Sequence, residues 1–238
     1  MTLMSNSFSM KYYKVVSPLE SEVIIDTNLS NYSQTLNNKN QYEKLLSLVT
    51  SYSAIYNLPL DFFFNINNGL ALFGDSYLQQ MPRSVNRKFE LFSITKNPNH
   101  KNYYIEEGNL IAFVENLIAL GIMAFQEGFY LWEYICEAIR QIKHVEKPRR
   151  EDSFFLFDSI ENCKYYIETH NFPGEIASVE IVSGTQPFKA DMKQWDMIPN
   201  HATLLQAERL MDHYWQGQTS STPIFEYLFQ GICRLSPL

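Results

Sequence analysis

The sequence predicts an α+β fold in which strands from the two ends of the chain meet in one sheet region. Two observations predict it. Residues 11–17 and 224–235 are rich in the β-branched and aromatic side chains that strands favour. Between them, residues 41–56 and 201–215 repeat apolar side chains at three- and four-residue steps, the period of an amphipathic helix. Strands at both ends with helices between them are typical of the α+β class.

The N-terminal part contains two short strands and one helix. The first strand, at residues 11–17, stops at Pro18, and the run Val-Ile-Ile-Asp at 23–26 predicts the second. The Asn- and Ser-rich stretch 28–40 is typical of a loop. We expect the helix at 41–56 to pack on the sheet through its apolar face.

The middle of the chain is less regular. Within residues 58–102 only one strand is predicted, at 89–95. From 106 to 144 the pattern is helical and predicts two helices. They are broken near Gly121 or Gly128, because glycine inside a helix costs about 1 kcal/mol relative to alanine.

In the C-terminal part, segments with the two-residue period of a strand alternate with segments that have the 3.6-residue period of a helix. Its elements are a strand at 154–157, a helix at 159–170, strands at 177–182 and 188–192, a helix at 201–215 and a strand at 224–235 with a bend at Gly231. Ser159 has the hydroxyl of an N-cap residue and stands where the first of these helices begins.

The bulk properties limit the classes of partner. A chain of 238 residues, 45% hydrophobic, predicts a single domain, 1–238, with a mainly helical insertion at about 38–147. A formal charge of −7 disfavours a broad grip on nucleic acid or anionic lipid. A local basic patch stays open, and only the arginines and lysines within 83–96 supply one.

The three cysteines, Cys136, Cys163 and Cys233, lie far apart and match neither a disulfide framework nor a zinc site. They favour a reducing compartment, and we expect a cytoplasmic protein without a bound metal. No secretory signal pattern begins the sequence, which leaves export of an effector by a signal-less route open. The most apolar stretch, 110–125, is interrupted by polar residues, so we expect a buried helix and no membrane span.

Glu226 is the residue that packing explains least. In a strand it shares one face with Ile224 and Leu228, while Phe225 and Tyr227 lie on the other. Both faces are apolar, which favours a central strand, and a carboxylate there needs a compensating partner. A structural salt bridge, an exposed strand end at a cleft and a catalytic carboxylate all satisfy this requirement.

A second candidate segment is 147–155, where Arg149 and Arg150 precede Ser153 and a strand. A guanidinium at a strand entrance binds phosphate or carboxylate with two hydrogen bonds, and a hydroxyl orients a sugar. The alternative is a solvated loop in which an arginine pairs with Glu151 or Asp152.

Lys14 is a third candidate. Along the first strand it shares one face with Tyr12, while Tyr13 and Val15 lie on the other, so one face presents an amine beside an aromatic ring. The common alternative is a lysine on an exposed edge strand.

Four segments in order carry a recognisable pattern. They are Tyr12-Tyr13-Lys14-Val15-Val16, then Glu137-Ala138-Ile139-Arg140 with 148–155, then Tyr214-Trp215-Gln216-Gly217, and Glu226-Tyr227-Leu228-Phe229-Gln230-Gly231. This pattern resembles a bacterial and phage family of unknown function that is related to the ADP-ribosyltransferase fold. The resemblance implies a split β-sheet with a helical insertion in the middle.

The resemblance also implies a chemistry. NAD is the substrate, and Glu226 stabilises the oxocarbenium ion that forms when the bond between nicotinamide and ribose breaks. Ser153 positions the nicotinamide ribose, and Arg150 and Lys14 contact the pyrophosphate or the adenosine ribose. An aromatic ring from Tyr13, Phe155 or Tyr166 stacks on the nicotinamide, and no metal is required.

The acceptor of ADP-ribose is not encoded in these motifs. The acidic charge favours a protein acceptor over nucleic acid, in the setting of a toxin, a phage-defence factor or a secreted effector, and the sequence says nothing of oligomeric state. Lys14 stands where the family has His or Arg, which favours the alternative of a non-catalytic nucleotide- or protein-binding module. A third alternative is an interaction protein that uses its aromatic-rich middle as a surface.

Overall fold

The computed structural model describes residues 10–33, 42–80, 88–91, 103–121, 129–199 and 201–238. The strands are β1 (Tyr12–Val16), β2 (Val23–Asp26), β3 (Lys88–Leu91), β4 (Tyr103–Glu106), β5 (Phe154–Phe157), β6 (Glu175–Gly184), β7 (Phe188–Asp191), β8 (Phe225–Phe229) and β9 (Gly231–Pro237). The helices are α1 (Glu43–Tyr56), α2 (Leu60–Phe73), α3 (Asp75–Gln80), α4 (Glu107–Leu120), α5 (Phe129–Lys143), α6 (Ile160–His170), α7 (Lys193–Asp196) and α8 (Leu204–Trp215).

The chain divides into two compact units. The first consists of Met1–Asn37, Ile139–Asp196 and Asp212–Leu238, and the second of Asn38–Ala138 and Met197–Met211. The predicted single domain with an insertion at about 38–147 stays a prediction.

The first unit is built on a seven-stranded sheet with the order β2-β9-β6-β1-β5-β8-β7. Its neighbouring strands run antiparallel. The predicted α+β class is confirmed, and strands from both ends of the chain share this sheet. β1 forms five residue pairs with β6 but is joined to β5 through the single pair of Tyr13 and Phe157. The sheet is therefore weakly joined between β1 and β5.

The two faces of this sheet are buried differently. On one face ten buried residues from six strands form the core: Tyr12, Ile25, Phe154, Leu156, Ala177, Val179, Tyr227, Phe229, Cys233 and Leu235. Each large side chain buried there contributes roughly 1.5–3 kcal/mol to stability. On the other face α6 packs through Cys163 against Val15 and Phe157. Ser159 caps α6 as predicted, because its hydroxyl accepts a 3.1 Å hydrogen bond from the backbone N–H of Asn162.

The predicted strand at 224–235 is two strands. β8 pairs with β5 and β7, whereas β9 pairs with β2 and β6, so the chain changes position in the sheet at Gln230. Gly231 makes this change with a φ of 144° and faces Gly184, which has the same φ. The bend at Gly231 was predicted, and the change of neighbours was not, because strand pairing is a long-range property.

The second unit contains two helices, α2 and α3, that the sequence analysis missed. α2 buries Leu60, Phe63, Phe64, Ile66 and Leu70, which follow the helical period but stand among apolar residues on other faces. Periodicity is a weak signal in so apolar a segment. The aromatic run at 62–64 therefore supplies core residues through Phe63 and Phe64.

The rest of the second unit follows the predictions more closely. α1 ends one residue before Asn57, as its period predicts, and α4 ends at Leu120 before Gly121. β3 pairs with β4 in a two-stranded sheet, and β3 confirms the first part of the strand predicted at 89–95. Residues 92–95 and Gly128 lie outside the described residues.

Candidate active site around Glu226

Glu226 lies on an interior strand of the first unit. It faces Phe157 of β5 on one side and Ala190 of β7 on the other, and the residue is 5% exposed. The aromatic residues and the leucine that form β8 with it fix the position of this carboxylate on the sheet face that α6 also covers. Its strand is paired on both sides, as its two apolar faces predict, and lies next to the edge strand β7.

Arg150 and Tyr214 compensate the buried carboxylate. The Glu226 Oε1 atom accepts a 2.7 Å hydrogen bond from Arg150 Nη1 and another of 2.7 Å from the Tyr214 hydroxyl. Arg150 Nη1 also donates to the Tyr214 hydroxyl, so the three groups form a closed triad. A buried pair of this kind is tolerated only with such extra hydrogen bonds, because removing two charges from water is costly.

Three aromatic rings surround the guanidinium of Arg150. Its Cζ lies 4.5 Å from the ring centroid of Trp195, 4.7 Å from that of Phe155 and 5.1 Å from that of Tyr214. Each distance is within the roughly 6 Å over which a cation is attracted by the face of a ring. We call Phe155, Trp195 and Tyr214 the aromatic cage.

A short turn places Arg150 in this cage. The 3₁₀ turn Arg150–Asp152 follows Pro148, and Arg149 forms ion pairs with Glu151 and, at 3.4 Å, with Asp152. The predicted solvated alternative thus describes Arg149, whereas Arg150 turns inward. Sequence position alone does not separate two adjacent arginines in this way.

Ser153 secures the same turn. It is 1% exposed, and its hydroxyl donates a 2.6 Å hydrogen bond to the carbonyl oxygen of Arg149. Its own carbonyl oxygen accepts 2.8 Å from the hydroxyl of Ser33. In this structure Ser153 holds the backbone beside Arg150, and the predicted contact with a ribose stays a prediction.

Asp191 holds the loops that carry Trp195 and the start of β8. Its fully buried carboxylate accepts hydrogen bonds from the backbone N–H groups of Lys193, Ser220 and Ile224 at 3.0, 2.7 and 3.0 Å. A carboxylate with three such donors is well satisfied. Asp191 therefore positions one wall of the cage, and no sequence motif pointed to it.

Tyr166 reaches the site from α6. Its ring centroid lies 5.5 Å from that of Phe157, the residue directly opposite Glu226. Burial raises the pKa of the Tyr166 hydroxyl, and the charge of Glu226 raises it further while that of Arg150 lowers it. These influences place Tyr166 within electrostatic range of the triad.

Tyr13 lies farther away on the same face of the sheet. The residues Tyr13, Phe157 and Glu226 form one row across β1, β5 and β8. Two strand spacings of about 4.8 Å separate Tyr13 from Glu226 in that row. Tyr13 packs with Val15, Phe157 and Cys163, and its predicted stacking on nicotinamide stays a prediction.

Lys14 occupies the weakly joined region between β1 and β5. Its Nζ lies 5.0 Å from the ring centroid of Phe154 and 5.7 Å from that of Phe155. Burial lowers the pKa of this amine to about 8, although the charge of Glu226 acts in the opposite direction. The edge-strand alternative is wrong for Lys14, because β1 lies between β5 and β6.

The structure thus brings four of the predicted residues together, Glu226, Arg150, Phe155 and Tyr166, with Lys14 nearby. Two participants had no predicted role. Tyr214 stood in a quoted motif without one, and Trp195 had no local signal because it lies in a four-residue helix.

Three other features of the described residues are relevant to function: a cavity, the lack of a metal-binding cluster and the lack of a membrane-spanning helix. A cavity of about 440 Å³ adjoins β1, β6 and the end of β9, and its lining residues do not include the group around Glu226. Within the described ranges, no group of three or more His, Cys, Asp or Glu side chains is placed to hold a metal ion. No helix in the described part of the chain combines the length and apolar character that a membrane crossing requires.

Comparison with known proteins gives a family and no function. No curated protein matches the sequence. The model of a family described as a protein of unknown function, DUF2441, matches residues 37–235, a range that includes Arg150, Trp195, Tyr214 and Glu226. The chain therefore belongs to the DUF2441 family.

Proposed function

We propose that this protein is an ADP-ribosyltransferase-like enzyme that cleaves NAD and transfers ADP-ribose to a macromolecular acceptor. The observation that carries the proposal is the carboxylate of Glu226, held on an interior strand by hydrogen bonds from Tyr214 and from Arg150, whose guanidinium lies among aromatic rings. A rigidly held carboxylate in a water-poor site is what an oxocarbenium transition state requires.

The reaction assigns Glu226 one role. The bond between C1 of the ribose and the nicotinamide nitrogen breaks, and its electron pair leaves with nicotinamide, which becomes neutral. Positive charge builds on the ribose, where the Glu226 carboxylate stabilises it and accepts a hydrogen bond from a ribose hydroxyl. A nucleophile of the acceptor then bonds to C1 and loses its proton.

The other predicted residues bind the remainder of NAD. Arg150 exchanges Glu226 for the pyrophosphate, since a guanidinium binds phosphate as readily as carboxylate. Lys14 contributes a second cation, and the ring of Phe155, Tyr166 or Tyr13 stacks on nicotinamide. Ser153 supports the ribose side of the site, through its hold on the Arg149 backbone in the present structure.

An ADP-ribosyltransferase-like split sheet is part of the proposal. The single residue pair between β1 and β5 supports it, because the two halves of the sheet separate beyond that pair. The side chain of Lys14, near the rings of both Phe154 and Phe155, lies where the separation begins. If NAD enters the site between the two halves of the sheet, the phosphates of NAD come close to Lys14.

The acceptor is proposed to be a protein. The formal charge of −7 argues against general binding of nucleic acid, although the arginines and lysines within 83–96 keep a nucleic-acid acceptor as the alternative. The proposed role is that of a toxin or a phage-defence factor in the cytoplasm, or of an effector that is exported by a signal-less route.

A second candidate is a non-catalytic module of the same fold that binds a nucleotide or a protein. The closed triad favours it, because Glu226 is 5% exposed and already bonded to two donors. In this alternative the ion pair is structural, and Lys14 marks the loss of the residue that turnover needs.

The deciding experiment is incubation of the purified protein with labelled NAD, with and without cell lysate. We expect nicotinamide release and label transfer, both abolished in Glu226→Gln. Glu168→Gln is the matched control, because Glu168 is an exposed carboxylate on α6. Turnover that persists in Glu226→Gln excludes Glu226 as the catalytic carboxylate, and NAD binding without turnover in the unchanged protein supports the binding module.

A further inference from the structure

The guanidinium of Arg150 is held more extensively than an ion pair requires. One carboxylate and one phenol bond to it, and the three rings of the aromatic cage lie 4.5 to 5.1 Å from its Cζ. Rings that surround a cation above a carboxylate are the arrangement by which proteins recognise organic cations.

The residues around the guanidinium come from elements other than the turn that carries Arg150. Phe155 is part of β5, Trp195 of α7, Tyr214 of α8 and Glu226 of β8, whereas Arg150 comes from the separate turn Arg150–Asp152. Asp191 anchors the first residue of α7 and the loop between α8 and β8, and Tyr214 packs on Trp215 at 5.0 Å between ring centroids. None of these four residues therefore depends on the turn of Arg150 for its place in the backbone.

The cage has a closed floor and an open rim. Tyr214 and Glu226 are 0% and 5% exposed, while Phe155 and Trp195 are half-buried and face solvent in part. The Arg150 side chain is 12% exposed. A ligand can therefore reach the rim when Arg150 rotates outward, and it then meets the carboxylate at the bottom.

One residue of the aromatic cage, Trp195, also has a hydrogen-bond donor for which the described residues supply no acceptor. Trp195 Nε1 is buried and has no hydrogen-bond partner among the residues that the structure describes. A buried donor of this kind costs stability unless something accepts its hydrogen. A ligand with a carbonyl group beside its cationic ring satisfies it, whereas a guanidinium, which has no acceptor, cannot.

We propose that Phe155, Trp195, Tyr214 and Glu226 form a binding site for a planar organic cation, and that the Arg150 side chain occupies this site until the ligand displaces it. The inference deepens the proposed function, and it rests on it only in the identity of the ligand, because the nicotinamide ring of NAD is a planar cation that carries a carboxamide. Displaced Arg150 is then available for the pyrophosphate.

An internal occupant weakens the binding of an external one. If the open form of the site is a small fraction of the population, the measured affinity of the ligand falls by that fraction. Removal of the Arg150 side chain therefore strengthens binding of the cation, whereas removal of an ordinary binding residue weakens it. This difference in sign separates an occupant from a ligand-binding residue.

The test uses the full chain, the Arg150→Ala variant and N-methylnicotinamidium, a cation methylated on the ring nitrogen, as the probe. Calorimetry is expected to show at least tenfold tighter binding to Arg150→Ala than to the unchanged protein. Neutral nicotinamide, of the same shape without the charge, is expected to bind neither protein measurably. Arg234→Ala is the control for loss of a positive charge elsewhere, because Arg234 is exposed and pairs with Glu180.

Binding that is equal or weaker in Arg150→Ala overturns the proposal, as does equal binding of the neutral probe. The variant Arg150→Ala/Glu226→Gln is expected to lose the gain, because the carboxylate at the floor is gone. If Arg150→Ala is unfolded in the absence of ligand, its circular dichroism is measured again with added N-methylnicotinamidium. Recovery of the folded spectrum supports the site, and no recovery overturns the proposal. NAD cleavage is measured separately on the unchanged protein, so cation binding without cleavage removes the proposed function and retains the site.

Discussion

Arg150 and Glu226 are 76 positions apart in the chain and form an ion pair with 2.7 Å between Nη1 and Oε1. Their side chains are 12% and 6% exposed, so water screens the pair little. We expect the pair to affect both the stability of the first unit and the access of a ligand to the carboxylate of Glu226.

Breaking this pair from one side is expected to cost about 3–5 kcal/mol of unfolding free energy, because the remaining charge stays buried without its partner. Arg150→Met keeps an unbranched side chain within the cage, and Glu226→Gln keeps the shape of the carboxylate. The double variant is expected to lose less than the sum of the two single losses, by roughly 1–3 kcal/mol. Urea unfolding of the four proteins measures this, and strictly additive losses contradict the coupling.

Tyr214→Phe removes one donor to Glu226 and leaves the ring in place. We expect it to lower the unfolding free energy by about 1–3 kcal/mol, since a buried charged acceptor loses a hydrogen bond. Tyr165→Phe is the matched control, because the hydroxyl of Tyr165 bonds to Asp196 at an exposed site. That variant is expected to change stability by less than about 1 kcal/mol, and equal losses in the two variants argue against the buried triad.

Lys14 predicts a pH dependence with a defined sign. Its pKa falls from 10.5 to about 8 on folding, so the unfolded chain binds more protons between these values and stability rises with pH there. Below pH 8 the folded state carries the full penalty of the buried charge. Lys14→Met is therefore expected to be more stable than the unchanged protein near pH 7, by roughly 1–3 kcal/mol.

The measurement is the difference in unfolding free energy between the unchanged protein and Lys14→Met from pH 7 to 10.5. The difference is expected to shrink as pH rises above 8, because the folded protein then buries a neutral amine while the unfolded chain still binds the proton. The comparison removes the opposite trend from Cys163 and Cys233, whose pKa values burial raises to about 12 and about 11. A constant difference across this range contradicts the lowered pKa of Lys14.

Gly231→Ala is expected to disrupt the junction of β8 and β9. At a φ of 144° an added Cβ overlaps the carbonyl oxygen of Ser183 and the Cα of Gly184, and neither backbone atom can move independently. We expect a loss of at least about 2 kcal/mol in thermal or urea unfolding. Gly108→Ala, in α4 with open space around the added atom, is the control and is expected to stabilise by up to about 1 kcal/mol. Similar effects at the two positions contradict the close approach of β6 and β9.

Local patterns predicted most elements of the first unit. The strand-favouring residues in 11–17 and 154–157 and the cap at Ser159 act over a few positions, as does the break at Gly121 in the second unit, and their consequences appear in the structure. α2 was missed because its apolar residues surround the helix and weaken the period. The change of neighbours at Gln230 was missed because pairing joins segments that are distant in sequence.

The sequence by itself determined that Glu226 needs a partner, because an apolar strand cannot bury a lone carboxylate. It also pointed to Arg150, but left open a solvated loop in which an arginine pairs with Glu151 or Asp152. Tertiary structure alone decided that Arg150 turns inward, that Tyr214 completes the triad and that Trp195 and Phe155 form its walls. The two hydrogen bonds of Arg150 span 64 and 76 positions, and no local period encodes which distant side chains a fold brings together.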